Sequence, residues 1–211
     1  MSPDFQINTQ HLNLKIIEAC DAPEFAQLVQ SSQSLFPWVD WCHDTFSIVE
    51  AEKLHYTIHQ AADEKSAVET ILELLKDEKQ VLGWDFEKIG LNGLKESLAK
   101  NDIHLTQSAN QELRYGITGV DTALAATGSI VLASGAGKAR VASLLPPIHI
   151  AVLRSEQIVR DLETWVALQQ DFGEASNIVV ISGPSKTADI AMELVLGMHG
   201  PQEVHLVLIE G

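Results

Sequence analysis

From residue 66 onward, apolar residues fall into two alternating rhythms, one with helical spacing and one of short unbroken runs. Behind Ser66-Ala67-Val68-Glu69, whose serine and glutamate stand at capping-box spacing, Val68, Ile71, Leu72 and Leu75 recur on one face, so a helix is predicted from Ser66. Val81–Trp84 predicts a short strand, Leu91, Leu94 and Leu98 a second helix, and Ile103–Thr106 another strand. A short alanine-rich helix is expected from Thr122 to Thr127, ended by Gly128 and followed by a strand over 129–133. His149–Leu153 continues as a strand, and Ser155 stands as the cap of a helix carrying Ile158, Val159, Leu162, Trp165 and Val166. Ile178–Ile181 predicts a buried strand, Ser185 the cap of a helix with Ala191, Leu194, Val195 and Met198 on one face, and Val204–Ile209 a final strand.

Strands alternating with amphipathic helices imply an α/β fold with a mostly parallel sheet flanked by helices, because parallel neighbours need a crossover and a helix supplies it. Residues 1–65 lack this regularity: Asp21-Ala22-Pro23-Glu24 resembles a helix start, and Phe36–Trp41 mixes aromatic and polar residues without a period. The expected organisation is an N-terminal helical extension over 1–65 packed on an α/β domain over 66–211.

In open parallel sheets, ligands sit beyond the carboxyl ends of the strands. Two loops rich in small and hydroxylic residues occupy such places: Gly116 to Gly128, with Thr118, Thr127 and Gly128, and Gly183 to Asp189, with Gly183, Pro184, Ser185 and Thr187. If Ser185 starts a helix, the free amides of its first turn, backed by the helix dipole, would bind a small anion. These residues, with Gly200 of the following His199-Gly200-Pro201 turn, form the expected ligand-binding set. Asp121, Asp189 and His199 are the candidate catalytic proton carriers.

Other patterns fail on spacing. A P-loop needs glycines where Ser185 and Val180 stand, and a nucleophile elbow needs one where Thr187 stands. His55 and His59 would share a helix face, but Tyr56 follows His55, where a metalloprotease helix carries glutamate, so no metal is expected. His149 is read as a buried, hydrogen-bonded strand residue. Gly135–Arg140 opens no helix; it is read either as a mobile loop between strands or as a flap whose Lys138 or Arg140 closes on a carboxylate.

Charge and cysteine content narrow the partners. With 29 acidic against 14 basic side chains and a formal charge of -15, most of the surface repels a phosphate backbone, which argues against nucleic acid. Two cysteines, Cys20 and Cys42, provide neither a disulfide framework nor the ligands of an iron–sulfur cluster, so a reducing cytoplasm and no intrinsic cofactor are expected. No run approaches eighteen apolar residues, and neither a signal peptide nor a membrane span is predicted.

Together Gly116–Asp121, Ala125–Ser129, Ser143–Pro146, Ile181–Ile190 and His199–Pro201 resemble the LUD-domain family, in particular its lactate utilisation protein C group, over residues 66–211. The resemblance implies a NagB/RpiA/CoA-transferase-like fold and a part in bacterial oxidation of L-lactate to pyruvate. It further implies iron–sulfur partner proteins that carry the clusters this chain cannot hold. The alternative it leaves open is an autonomous isomerase- or transferase-like enzyme acting on a phosphorylated or CoA-linked substrate.

Overall fold

The computed structural model describes residues 6–8, 13–15, 56–168, 175–188 and 194–210. Its centre is a six-stranded sheet, all parallel, in the order β3-β14-β9-β6-β4-β5. The strands are β3 (Thr57–Ala61), β4 (Gln80–Gly83), β5 (His104–Thr106), β6 (Tyr115–Gly119), β9 (Ile148–Arg154) and β14 (Glu203–Ile209). Six of the seven β9 residues are buried, as a central parallel strand covered on both faces requires. Thr57–Ala61 lies within the stretch assigned above to the N-terminal extension, yet it pairs with β14 over five residues of this sheet.

Helix α1 (Glu64–Leu75) buries Ala67, Val68, Ile71 and Leu75. It starts two residues before the predicted position, because Asp63 takes the cap: the Ser66 amide donates to its carboxylate at 2.8 Å, and the Asp63 amide donates to Ser66 Oγ at 3.1 Å. Two short helices, α2 (Phe86–Ile89) and α3 (Leu94–Lys100), connect β4 to β5.

A second, four-stranded sheet runs β10-β7-β8-β11, comprising β7 (Thr122–Leu124), β8 (Ser129–Ser134), β10 (Ile158–Val159) and β11 (Asn177–Ile181). Ala123, Ile130 and Leu132 join the same apolar cluster as Ile117, Ile150 and Val207, so this sheet packs on the first. Three sequence expectations fail here. The alanine-rich helix at Thr122–Thr127 is absent; its first half is β7, which folds back on β8 through a turn with Gly128 at φ 58°. Cross-strand pairing overrides alanine's helical propensity. Ser155 caps no long helix: 155–157 form a tight turn, 158–159 pair with β7, and α4 (Leu162–Leu168) starts behind Asp161, whose carboxylate accepts the Thr164 amide at 2.7 Å. Finally, β11 is not a buried strand of the parallel sheet; it lies antiparallel to β8, with Ile178 37% and Val180 51% exposed.

The helix expected after Ser185 is also absent among the described residues. The chain instead forms an antiparallel hairpin of β12 (Lys186–Ala188) and β13 (Leu194–Leu196). A further short pair, β1 (Gln6–Asn8) with β2 (Asn13–Lys15), is antiparallel.

Candidate functional site

Strands β4 and β6 are neighbours whose continuations part: β4 leads outward through α2 and α3 to β5, while β6 leads into the second sheet and then to β9. Such a reversal opens a crevice at the carboxyl ends of the two strands. The residues emerging there are Trp84 and Asp85 from β4, and Val120 and Asp121 from β6. Segment 135–139 folds back over them. The Asp85 amide donates to Gly137 O at 2.8 Å, Trp84 Nε1 donates to Ala139 O at 3.3 Å, and Lys138 Nζ forms an ion pair with the Asp121 carboxylate. The same ammonium lies 5.0 Å from the centroid of the Trp84 ring, within cation–π range. Asp121 also accepts the Ala133 amide at 2.7 Å, and Gln107 Nε2 donates to Asp85.

Of the two cations in this loop, Lys138 rather than Arg140 meets a carboxylate, and that carboxylate is Asp121 of the chain itself. Glycine is required at 137, which has φ 74° and where a Cβ would come within 2.3 Å of Asp85 Oδ2. Side chains of Lys138 and Asp121 are 23% and 26% exposed, so the pair is accessible while half shielded from water. Of the candidate proton carriers among the described residues, Asp121 alone sits at this crevice. Trp84, Asp85 and Gln107 were missed; the signal available was the position of Trp84-Asp85 immediately after a predicted strand, where parallel sheets place their ligands.

The two hydroxyl-rich loops do meet, at the other end of β8. Because β11 runs antiparallel to β8, Ser182 lies beside Ser129: the two Oγ atoms are 2.8 Å apart, and Ser129 Oγ is 2.9 Å from Thr127 Oγ1. Gly128 and Gly183 flank this chain of hydroxyls, and the hydroxyl of Tyr56 donates to Ile181 O nearby. Burial pushes the Tyr56 hydroxyl pKa up, so it stays protonated. Ser129 and Ala133 are four steps apart along β8, on the order of 13 Å, so the hydroxyl cluster and the Asp121–Lys138 pair are separate places.

The remaining expected residues divide. Thr118 is fully buried in β6, where its hydroxyl is 2.9 Å from His149 Nε2, so it faces the core and not a ligand. Ser185 does not cap a helix: its amide donates to Pro201 O at 2.8 Å, and its Oγ accepts the His199 amide at 3.2 Å. The anion notch expected from helix dipole and free amides is lost, because the amides after Ser185 enter a strand pair. His199 is exposed beside Ser185 at the base of the β12–β13 hairpin, Gly200 lies against the Ser185 side chain, and Pro184 is buried. Thr187 stands on β12 opposite Val195, and Asp189 lies outside the described residues. His149 is buried and bonded through Nε2, while Nδ1 has no partner; burial holds its pKa down at about 3, so the ring is neutral.

Among the described residues no three His, Cys, Asp or Glu converge as a metal site, and no helix is long and apolar enough to cross a membrane. Residues 48–209 match the family model described as the LUD domain. The chain is 31% identical to the lactate utilization protein C of Halalkalibacterium halodurans over 179 residues, covering 76% of each protein. It is 31% identical to the lactate utilization protein C of Shouchella clausii over 180 residues, covering 80% of this chain and 74% of that one. A crystal structure of a DUF162-family protein from Deinococcus radiodurans aligns with a TM-score of 0.49 and 19% identity, covering 92% of this chain and 99% of that one.

Proposed function

The chain belongs to the LUD-domain family, and on that premise we propose that it serves in bacterial L-lactate utilisation as a subunit without a redox centre of its own. Similarity to two proteins named lactate utilization protein C, over about three quarters of each, supports that role. The sequence holds two cysteines, fewer than the four thiolates of an iron–sulfur cluster, and this reading assigns the electrons of lactate to cluster-bearing partner proteins in the cytoplasm.

The single structural observation that supports ligand binding is the Lys138–Asp121 pair over Trp84 at the carboxyl ends of β4 and β6. A small carboxylate entering this crevice would take the Lys138 ammonium from Asp121 by exchanging one charge-assisted bond for another. Asp121, released from its partner, becomes an acceptor for a hydroxyl on the same ligand. The indole ring of Trp84 forms the wall that keeps the ammonium in place.

Deleting the gene should abolish growth on L-lactate as sole carbon source while leaving growth on glucose intact, and the wild-type gene should restore it. Complementation with Lys138→Met should fail, and the purified variant should lose the thermal stabilisation that L-lactate or pyruvate gives the wild type. A ligand at one hundred times its dissociation constant stabilises by about 2.7 kcal/mol, enough to move the melting temperature by several degrees. Normal growth of the deletion strain on lactate would overturn the role; full complementation by Lys138→Met would overturn the site.

A further inference from the structure

His59 on β3 and His205 on β14 are brought together by the register of those strands: His205 stands opposite Thr57, so His59, two residues further, lies on the same face. Their rings stack with centroids 5.2 Å apart and planes inclined at 29°, and His59 Nε2 lies 3.0 Å from His205 Nδ1. Glu203 Oε2 lies 3.5 Å from the other nitrogen of His205. We infer that His59 and His205 form a two-imidazole binding site for a divalent transition-metal cation, with Glu203 behind it as the group that orients His205. The site lies on the opposite side of β9 and β6 from the crevice strand β4 and is independent of the function proposed above.

Three features carry the assignment. Two nitrogens each about 2.1 Å from one cation, at a right angle, lie roughly 3.0 Å apart, which is the separation found; a tetrahedral angle would spread them to roughly 3.4 Å. The carboxylate of Glu203, 3.5 Å from His205 Nε2, favours the tautomer with the proton on Nε2, in which Nδ1 is the lone pair facing His59, the arrangement by which carboxylates orient histidine ligands. His205 is 13% exposed at its side chain and His59 is only partly buried, which leaves a route for a hydrated ion. Since no third His, Cys, Asp or Glu among the described residues joins them, water fills the other positions.

When the cation binds, the hydrogen on His59 Nε2 that bridges the rings is replaced by the metal, and His59 changes to its Nδ1–H tautomer. No proton is released and nothing is oxidised. The right-angle spacing and the usual affinity order favour Cu²⁺, then Ni²⁺, over Zn²⁺.

Isothermal titration of the full chain with NiCl₂, after treatment with a chelator, should give one saturable site per chain. His59→Ala and His205→Ala should each weaken it at least tenfold, Glu203→Gln should weaken it about 10- to 100-fold, and His104→Ala, at an exposed histidine elsewhere, should leave it unchanged. In the unsubstituted protein, Ni²⁺ should broaden the ring resonances of His59 and His205 before those of other histidines, a readout that does not depend on any variant folding. Absence of a saturable site, a site that survives His59→Ala, or first broadening at another histidine would each overturn the assignment.

Discussion

Strands β9 and β11 are both apolar and rich in β-branched residues, but they occupy different environments. In β9, Ile150 is 0% and Val152 is 3% exposed; in β11, Val180 is 51% exposed. The first stands between two parallel neighbours, the second pairs with β8 on one side in a sheet whose order among the described strands ends with it. An unbroken apolar run thus specifies a strand without specifying its depth. The loop that follows a strand inherits the difference: beyond the main sheet lie crevices between strand ends, whereas beyond β11 the chain turns into a hairpin whose amides pair with each other.

The largest expected consequence of that contrast is in stability. Ile150→Ala should cost about 2–5 kcal/mol, because the cavity forms among side chains that cannot collapse, and urea unfolding will measure it. A cost below about 1 kcal/mol would show that the main sheet is not the close-packed core. A second effect separates the sheets by pH. The folded pKa of His149, about 3, lies below the ordinary value near 6.5, so between those values the unfolded chain takes up a proton the folded chain excludes. Stability should therefore fall as pH drops below 6.5, with a slope approaching about 1.4 kcal/mol per pH unit from this residue. His59 and His205, also lowered, act in the same direction, so the check is the difference: His149→Gln should flatten the slope between pH 6.5 and 5. The smallest effect belongs to β11, where Val180→Thr should change stability by no more than about 0.5 kcal/mol. A loss above about 1.5 kcal/mol would mean that this strand is covered in solution.

How much of this was legible in the sequence depended on whether local pattern or distant pairing decides each element. The runs at Val81, His149 and Val204 gave their strands, because a strand buried on both faces must be continuously apolar. The same logic misplaced Ile178–Ile181, since β-branched residues suit a half-exposed sheet equally well. Thr122–Thr127 and the segment after Ser185 carried helical signals that pairing with β8 and with Leu194–Leu196 overrode. Asp121 was picked out as part of a loop from Gly116 to Gly128; the first part of that loop is in fact β6 (Tyr115–Gly119), and Asp121 follows its end. Lys138 was one of two cations, with Arg140, read as able to close on a carboxylate; that it meets Asp121, 17 residues away, became known only from the fold. His205 was not singled out at all: it bonds to His59, 146 residues earlier, and His59 was read only against His55 as a helical pair, whereas it lies on β3.

That separation bears on how the chain reaches its native form. Among the described strands β3 meets only β14, so the first strand of the main sheet cannot be seated until residues 203–209 have been synthesised and slotted between it and β9. Until then a nascent chain carries an unpaired β9 flank of buried-type residues, and nonlocal closure of this kind is slow. The interval before β14 arrives is the time at which neighbouring chains would compete for the same hydrogen bonds, making this strand the point where productive folding and aggregation diverge.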